Sequence, residues 1–278
     1  MNYRHAFHAG NFGDCMKHAL LVWLLRALQR KPAGLFVLDT HAGAGRYDLS
    51  AGPAERTGEW RAGIGRLLDE PPAALADYVS LVRDCGLYPG SPMLIEAMLR
   101  PQDRLTCCEL HPEDHATLRA TMAGGETSVP QTSVHRRDAW EALGGLLPPP
   151  GGLRRALVLI DPPYEATDEF SSLAAGLARG HARFPTGVFA AWYPIKHRAP
   201  VRAFRVAMRD SGLRDIVTAE LWLREPLDAA RLNGCGLLVV NPPFGFMAAA
   251  EPILAALLAR LGTGEAGQGF AVERIADE

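Results

Sequence analysis

The segment Asp161-Pro162-Pro163-Tyr164 combines a carboxylate, a rigid turn and an aromatic ring within four residues. A carboxylate and a main-chain carbonyl can each accept a hydrogen bond from an exocyclic amino group, and an aromatic ring can stack on a flat base. Prolines fix the backbone, so these groups are held in place before a ligand arrives. The segment predicts a site for an amino-bearing base; the alternative is a strand-ending Pro-Pro turn with a capping aspartate.

A glycine-containing loop and three strand-end acids accompany this segment. The loop is DTHAGAG at 39–45, and the acids Glu109, Asp138 and Asp161 end three later strand-like runs. Ligands of parallel α/β sheets bind at the carboxyl ends of the strands, so these groups predict one crevice. Glu109 is suited to accept hydrogen bonds from both hydroxyls of a ribose. Alternatively, the loop is an ordinary turn and each acid a solvated loop charge.

The elements needed to position these residues follow from short apolar runs that alternate with helical periodicity, a pattern typical of a parallel sheet. We predict strands at 35–39, 104–109, 133–138, 156–161, 187–193, 218–223 and 236–241. Helical patterns occupy 14–30, 93–99, 111–122, 167–183, 200–211 and 250–261. The expected fold is α/β, a Rossmann-like, seven-stranded and mostly parallel sheet.

One interval interrupts this alternation. A nucleotide-binding βαβ unit places its second-strand acid about 20 residues after the glycine loop, whereas 64 positions separate Gly45 from Glu109. Helix-like stretches lie at 55–68 and 73–85. We therefore expect one core domain formed by 1–46 and 92–278, with an inserted helical subdomain at 47–91.

Composition excludes several protein classes. With 48% hydrophobic and 22% charged residues, the chain is globular rather than disordered. The most apolar stretch, 19–28, is too short for a bilayer and carries Arg26, so no membrane association is expected. Five cysteines without metal-ligand spacing predict a reduced, cytoplasmic protein without a metal site.

The formal net charge of −2 argues against binding nucleic acid with the whole surface. A local basic patch is predicted on the helix near 200–211, where Arg202, Arg205 and Arg209 share a face opposite Val201 and Phe204. That face contacts a polyanion or is simply solvated. The inserted subdomain is a second candidate surface.

A second Pro-Pro segment, Asn241-Pro242-Pro243-Phe244, also follows a predicted strand. The Asp161 segment follows the fourth strand, next to the glycine-loop strand, whereas Asn241 follows the last one. We therefore expect Asn241 to end a C-terminal hairpin, from which it can still form a wall of the base pocket.

A D-P-P-Y sequence after a strand is typical of enzymes that methylate amino nitrogens with S-adenosylmethionine. Over nearly its whole length the chain resembles the bacterial RlmJ family, which methylates N6 of one adenine in 23S ribosomal RNA. The resemblance rests on YRHAFHAGN at 3–11, KH at 17–18, LDTHAGAGRY at 38–47, ERTGE at 55–59, YPGSP at 88–92, ELHP at 109–112, LIDPPY at 159–164, WYP at 192–194 and VNPP at 240–243.

The resemblance implies a function for individual residues. S-adenosylmethionine, released as S-adenosylhomocysteine, would contact His18, His41, Ser91, Glu109, Asp138, the backbone of Ala139, and Asp161. Asp161 and Pro162 would hold the target amino group, Tyr164 would stack on the base, and Tyr3 would contact the RNA. Ala139 replaces an expected glycine, and the linker at 12–15 also departs from the family pattern. Ser91 before Pro92 also fits a helix N-cap. His18, on an amphipathic helix, also fits a packing or surface histidine.

The implied reaction is direct transfer of a methyl group to a flipped-out adenine of 23S ribosomal RNA, with no obligatory protein partner. Within the same chemistry, a DNA adenine N6-methyltransferase is the alternative. An NAD-dependent oxidoreductase would use the same glycine loop and Glu109, but the D-P-P-Y segment has no part in hydride transfer. A non-catalytic RNA-binding module is the remaining alternative.

Overall fold

A computed structural model describes residues 4–123, 131–166 and 168–277. The strands are β1 (Phe36–Asp39), β2 (Arg46–Tyr47), β3 (Tyr88–Pro89), β4 (Arg104–Cys108), β5 (Thr132–His135), β6 (Ala156–Ile160), β7 (Val188–Ile195), β8 (Ile216–Trp222), β9 (Gly234–Val240) and β10 (Gly269–Ala276). The α-helices are α1 (Phe12–Gln29), α2 (Gly52–Thr57), α3 (Glu59–Ala62), α4 (Gly65–Leu68), α5 (Ala76–Asp84), α6 (Ser91–Met98), α7 (Pro112–Ala123), α8 (Ala139–Gly145), α9 (Glu169–Arg183), α10 (Arg198–Asp210) and α11 (Phe246–Leu261).

The main sheet has the order β10-β8-β9-β7-β6-β1-β4-β5. The pairings from β5 through β4, β1 and β6 to β7 are parallel, and β9 is antiparallel to both β7 and β8. All seven predicted strands are present, and the fold class is confirmed. The sheet has an eighth strand, β10, which pairs with β8 and ends the strand order. Its side chains are half-buried or exposed, so its sequence carries little of the apolar signal of a central strand.

Helices cover both faces of the sheet because its central strands are buried on both sides. All five residues of β6, for example, are buried. On one face α1, α6 and α11 pack together, with Trp23 against Phe246 at 5.7 Å between ring centroids. On the other face α8, α9 and α10 bury Leu143, Leu177 and Phe204. Within the described ranges, no helix is long and apolar enough to cross a bilayer.

The inserted segment is more fragmented than its periodicity predicts. The expected helix at 55–68 is divided into α2, α3 and α4, because Gly58 adopts a left-handed conformation and Gly63 adopts a non-helical one. A Cβ on Gly63 would lie 2.0 Å from the carbonyl oxygen of Gly10. This close approach joins the insertion to the N-terminal segment, and antiparallel β2 and β3 bring its two ends together.

The second Pro-Pro segment lies at the opposite edge of the sheet from the first. Because β9 runs antiparallel to β7, Val240 pairs with Phe189 near the beginning of β7. The Asn241 side chain donates to the carbonyls of Pro185 and Gly187, at 2.8 Å each. The expectation that this segment walls the base pocket is therefore wrong; Asn241 stabilises the turn that leads into β7.

Candidate functional site

A cavity of about 700 Å³ opens at the carboxyl ends of the parallel strands. Cofactor sites typically occupy about 300–1,000 Å³, so this cavity can take a nucleoside-sized ligand together with a base. It is lined by nine of the sequence-predicted site residues, which are His18, His41, Ser91, Glu109, Asp138, Ala139, Asp161, Pro162 and Tyr164. Tyr3 lies outside the described residues.

Glu109 follows β4 directly and holds the glycine loop in place. Its Oε2 accepts the backbone N–H of Gly43 at 2.9 Å, and its Oε1 accepts that of His111 at 2.7 Å. Burial raises the pKa of this carboxyl, and the two backbone bonds oppose the rise. A carboxylate fixed at both oxygens is pre-oriented toward the cavity, where its remaining lone pairs can accept hydroxyl groups.

Asp138 does not end a strand, because β5 stops at His135. It is instead the N-cap of α8, a helix that the sequence patterns did not predict. Its Oδ1 accepts the backbone N–H groups of Trp140 at 2.9 Å and Glu141 at 3.1 Å. Ala139 is the buried first residue of that helix. The cap orients the carboxylate at the cavity wall.

His41 connects the glycine loop with the Asp161 segment. Its Nδ1 accepts the backbone N–H of Asp161 at 3.3 Å and lies 2.9 Å from the hydroxyl of Thr40. Burial lowers the pKa of His41 to about 4, so the ring is neutral near pH 7. A neutral ring can keep one nitrogen as the acceptor that holds the Asp161 backbone.

Ser91 is not the N-cap of its helix. That position belongs to Gly90, and Ser91 is the first residue of α6, so the N-cap interpretation is wrong. Its hydroxyl donates to Oδ2 of Asp39 at 2.6 Å. Asp39 is fully buried; burial raises the pKa of this carboxyl to about 6, although the bond from Ser91 opposes the rise.

Lys17 is a site residue to which sequence reasoning assigned no function. Its Nζ contacts Oδ2 of Asp161 at 2.6 Å and Oδ1 of Asp14 at 2.9 Å. Burial alone would lower the pKa of Lys17, but the two carboxylates raise it well above its ordinary value. The i,i+3 spacing of Asp14 and Lys17 signals their pair, whereas nothing local signals the contact with Asp161.

The N-terminal segment reaches the same cavity. His5 lies 2.9 Å from Asp14, which also accepts the backbone N–H of Gly10 at 2.9 Å. His8 pairs with Glu59 of the insertion, with 3.0 Å between Nδ1 and Oε1. The pKa of Asp14 is well below its ordinary value because His5 and Lys17 outweigh the effect of burial.

The ring of Tyr164 is held in place by contacts with Trp192 and Phe170. Its hydroxyl donates to the carbonyl of Trp192 at 3.0 Å, and its ring packs against Phe170 at 5.1 Å between centroids. The backbone of Tyr164 is left-handed, with φ 53°. A non-glycine residue in that region is strained, and such strain is often stored at functional sites.

His18 is fully buried in α1. Its Nδ1 lies 3.1 Å from the hydroxyl of Tyr88, and its Nε2 has no hydrogen-bond partner among the described residues. Burial, together with Lys17, lowers the pKa of His18 to about 3. The ring therefore stays neutral, with one nitrogen left for a ligand.

We expect His18 to make the fold sensitive to mild acid. An unfolded histidine titrates near pH 6.5, so between about pH 5 and 6.5 the unfolded chain binds more protons than the folded one. The free energy of unfolding then falls as pH falls, by at most about 1.4 kcal/mol per pH unit. Urea unfolding at several pH values between about 5 and 6 gives the slope of the free energy of unfolding against pH. For His18→Asn this slope should be lower by about 1 kcal/mol per pH unit than for the unmodified chain.

The matched control is His135→Asn, the same substitution at an exposed position. The buried carboxyl of Asp39 titrates in the opposite sense in the same window, but it is common to all three proteins. Equal slopes for His18→Asn and the unmodified chain would contradict a neutral buried His18.

Comparison with known proteins gives strong similarities over nearly the whole chain. Residues 32–273 match the family described as "Ribosomal RNA large subunit methyltransferase D, RlmJ". The chain is 37% identical to "Ribosomal RNA large subunit methyltransferase J" of Escherichia coli (strain K12), over 96% of this chain and 97% of that protein. The protein of the same name from Haemophilus influenzae is also 37% identical, over 95% and 96%.

A solved structure has the same fold. Protein LPL1258 from Legionella pneumophila superposes with a TM-score of 0.86 at 33% sequence identity, and the match covers 96% of this chain and 98% of that one. The similarity therefore includes both the sheet and the inserted segment.

Proposed function

The chain belongs to the RlmJ family of ribosomal RNA large subunit methyltransferases, and on that premise we propose that it methylates N6 of a single adenine in 23S ribosomal RNA. Its fold is that of the class I S-adenosylmethionine-dependent methyltransferases. The observation that carries the adenine assignment is the position of Asp161-Pro162-Pro163-Tyr164 in the same cavity as Glu109 and Asp138. An NAD-dependent oxidoreductase is not compatible with this family.

The residues of the cavity fit S-adenosylmethionine. The buried Nε2 of His18, which lacks a partner within the described part of the chain, calls for a polar ligand atom. The carboxylates of Glu109 and Asp138 suit ribose hydroxyls and an adenine amino group. We assign His41, Ser91 and the backbone of Ala139 to the same site. When bound, S-adenosylmethionine supplies a methyl group on a sulfonium, which becomes the thioether of S-adenosylhomocysteine as the new carbon–nitrogen bond forms.

Asp161 orients the target amino group rather than deprotonating it. Its Oδ2 is held by Lys17 at 2.6 Å, which leaves Oδ1 to accept one N6–H, while a carbonyl near Pro162 accepts the other. Adenine N6 is a poor nucleophile because its lone pair is delocalised into the ring, so much of the rate comes from positioning. The N6 nitrogen becomes acidic only once it carries the methyl group, so its proton leaves after methyl transfer.

The base must leave its stack to reach Asp161. Tyr164, fixed by the carbonyl of Trp192, provides a rigid ring on the cavity wall against which a flipped adenine can stack. Trp192 and Pro194 line the same part of the cavity. We keep Tyr3 as an RNA contact on the family resemblance alone.

We propose that cations at the cavity bind the phosphates of the RNA. Arg205 of α10 is engaged by Glu220 and Glu273, which makes the Arg202-Arg205-Arg209 face a weaker candidate. Lys196 and Arg137 line the cavity itself and are better placed to hold phosphates next to the target.

We also propose the division into a core of 1–46 and 92–278 with an inserted helical subdomain at 47–91. We assign the activity to the cytoplasm, consistent with ribosomal RNA as substrate.

The substrate assignment is tested with labelled S-adenosylmethionine. We expect label in protein-free 23S RNA or in ribosomal subunits, on N6 of one adenine identified by nuclease digestion and mass spectrometry. Duplex DNA is offered in parallel. Label in the DNA alone would establish the DNA adenine alternative, and label on another base would overturn the adenine assignment.

Asp161→Ala should lower the rate of transfer by at least about a hundredfold, because the target nitrogen loses its main acceptor. Affinity for S-adenosylmethionine, measured by calorimetry, should stay within about fivefold, a change of about 1 kcal/mol. Asp168→Ala is the matched control, since Asp168 is exposed in the same stretch and outside the cavity. Full activity of Asp161→Ala would disprove its assigned role.

Lys196→Glu should weaken binding of the RNA substrate, because an exposed cation at the cavity becomes an anion. When the logarithm of the binding constant is plotted against the logarithm of the salt concentration, the slope should be smaller in magnitude by about 0.7–0.9 for each phosphate that the variant no longer neutralises. Lys31→Glu, the same change at an exposed position outside the cavity, is the control. Identical RNA affinities for the two variants would exclude Lys196 as a phosphate-binding residue.

A further inference from the structure

The insertion contributes two buried hydroxyl groups that end at His18. Tyr78 lies in α5, Tyr88 lies in β3, and both side chains are buried. The two hydroxyl oxygens are 3.2 Å apart, and that of Tyr88 is 3.1 Å from Nδ1 of His18. The three groups form a hydrogen-bonded row from the insertion to the cavity.

The protonation states of this row leave two arrangements. Burial raises the pKa of both phenols and lowers that of His18 to about 3, so all three groups are neutral. A neutral imidazole carries one proton, and the bond made by one nitrogen decides which nitrogen carries it. Either Tyr88 donates to Nδ1 and the proton sits on Nε2, or Nδ1 donates to Tyr88 and Nε2 is bare.

The groups at the far end of the row favour the first arrangement. With Tyr88 donating to His18, Tyr78 donates to the Tyr88 oxygen, and every bond runs from phenol to a good acceptor. In the reverse arrangement Tyr78 must donate elsewhere, and the thiol of Cys15 with which it interacts is a weak acceptor. An imidazole nitrogen is also a better acceptor than a phenol oxygen.

We propose that Tyr88, supported by Tyr78, is a positioning residue that fixes His18 in the Nε2–H form, so that His18 donates to the carboxylate of the methionine part of S-adenosylmethionine. The choice of acceptor rests on the proposed function. Glu109 and Asp138 serve the ribose and the adenine. His18 follows Lys17 in α1, and the Lys17 ammonium contacts Asp161, so we place His18 at the end of the cavity where the methyl group is transferred. The carboxylate is the strongest acceptor left to that end of the ligand.

This arrangement makes the insertion part of the cofactor site. The Nε2–H of His18 has no partner among the described residues, and a buried donor without a partner is costly. That cost is recovered when a ligand oxygen accepts. The hydroxyl of Tyr88 contributes without touching the ligand, because it prevents the proton from moving to Nδ1.

The tautomer is measured directly on the ligand-free protein with ¹⁵N-labelled histidine, since protonated and bare ring nitrogens differ in chemical shift. The His18 signals are those missing from His18→Asn. We expect a proton on Nε2 in the unmodified chain and a mixture of both forms in Tyr88→Phe. A proton on Nδ1 in the unmodified chain would overturn the proposal.

Binding and kinetics provide the second readout. Tyr88→Phe should raise the Kd and the KM for S-adenosylmethionine by about three- to tenfold, because only part of the population presents the correct tautomer, with kcat within about twofold. Tyr78→Phe leaves the bond from Tyr88 to His18 in place, so its effect should be below about threefold. General structural damage would lower kcat as well.

Tyr193→Phe is the matched control, since it removes a buried phenol that donates to Glu220 at 2.6 Å, outside the cavity. It should leave the Kd for S-adenosylmethionine unchanged. An unchanged tautomer and Kd in Tyr88→Phe would disprove the positioning role. If the unmodified chain failed to bind S-adenosylmethionine, the proposed function would be wrong, while the ligand-free tautomer would still decide the role of Tyr88.

Discussion

The buried ammonium group of Lys17, held between the carboxylates of Asp14 and Asp161, is the interaction on which the rest of the site depends. A buried charge is tolerated only when opposite charges compensate it, so these three residues must stay together. Asp14 in turn accepts the backbone of Gly10 and pairs with His5. A single cation thus connects the N-terminal segment and α1 with the Asp161 carboxylate at the cavity.

The inserted segment belongs to the site. Glu59 pairs with His8 at the cavity, Gly63 allows the close approach of Gly10, and Tyr88 contacts His18. Each of these contacts joins the insertion to residues that precede the glycine loop. The N-terminal segment is thereby held between the insertion and the sheet, which explains how residues far apart along the chain line one cavity.

Carboxylates near the ends of the strands make local structural bonds, and those of Glu109 and Asp138 also line the cavity. Glu109 holds the backbone of Gly43 and His111, Asp138 caps α8, and Asp39 accepts the hydroxyl of Ser91. Backbone N–H groups and hydroxyls fix the orientation of each carboxylate before a ligand arrives. Such preorganisation keeps small the entropy lost when a ligand is bound.

The sequence by itself determined the central strands, the helices α1, α5, α6, α7, α9, α10 and α11, and the meeting of Glu109 and Asp161 at one edge. Apolar runs and helical periodicity are local properties, and parallel strands bring their carboxyl ends together. Only the tertiary structure decided the contact of Lys17 with Asp161, the opposite position of Asn241 at the end of antiparallel β9, and the engagement of Arg205 by Glu220 and Glu273. These depend on strand direction and on partners distant in sequence, and a local pattern records neither.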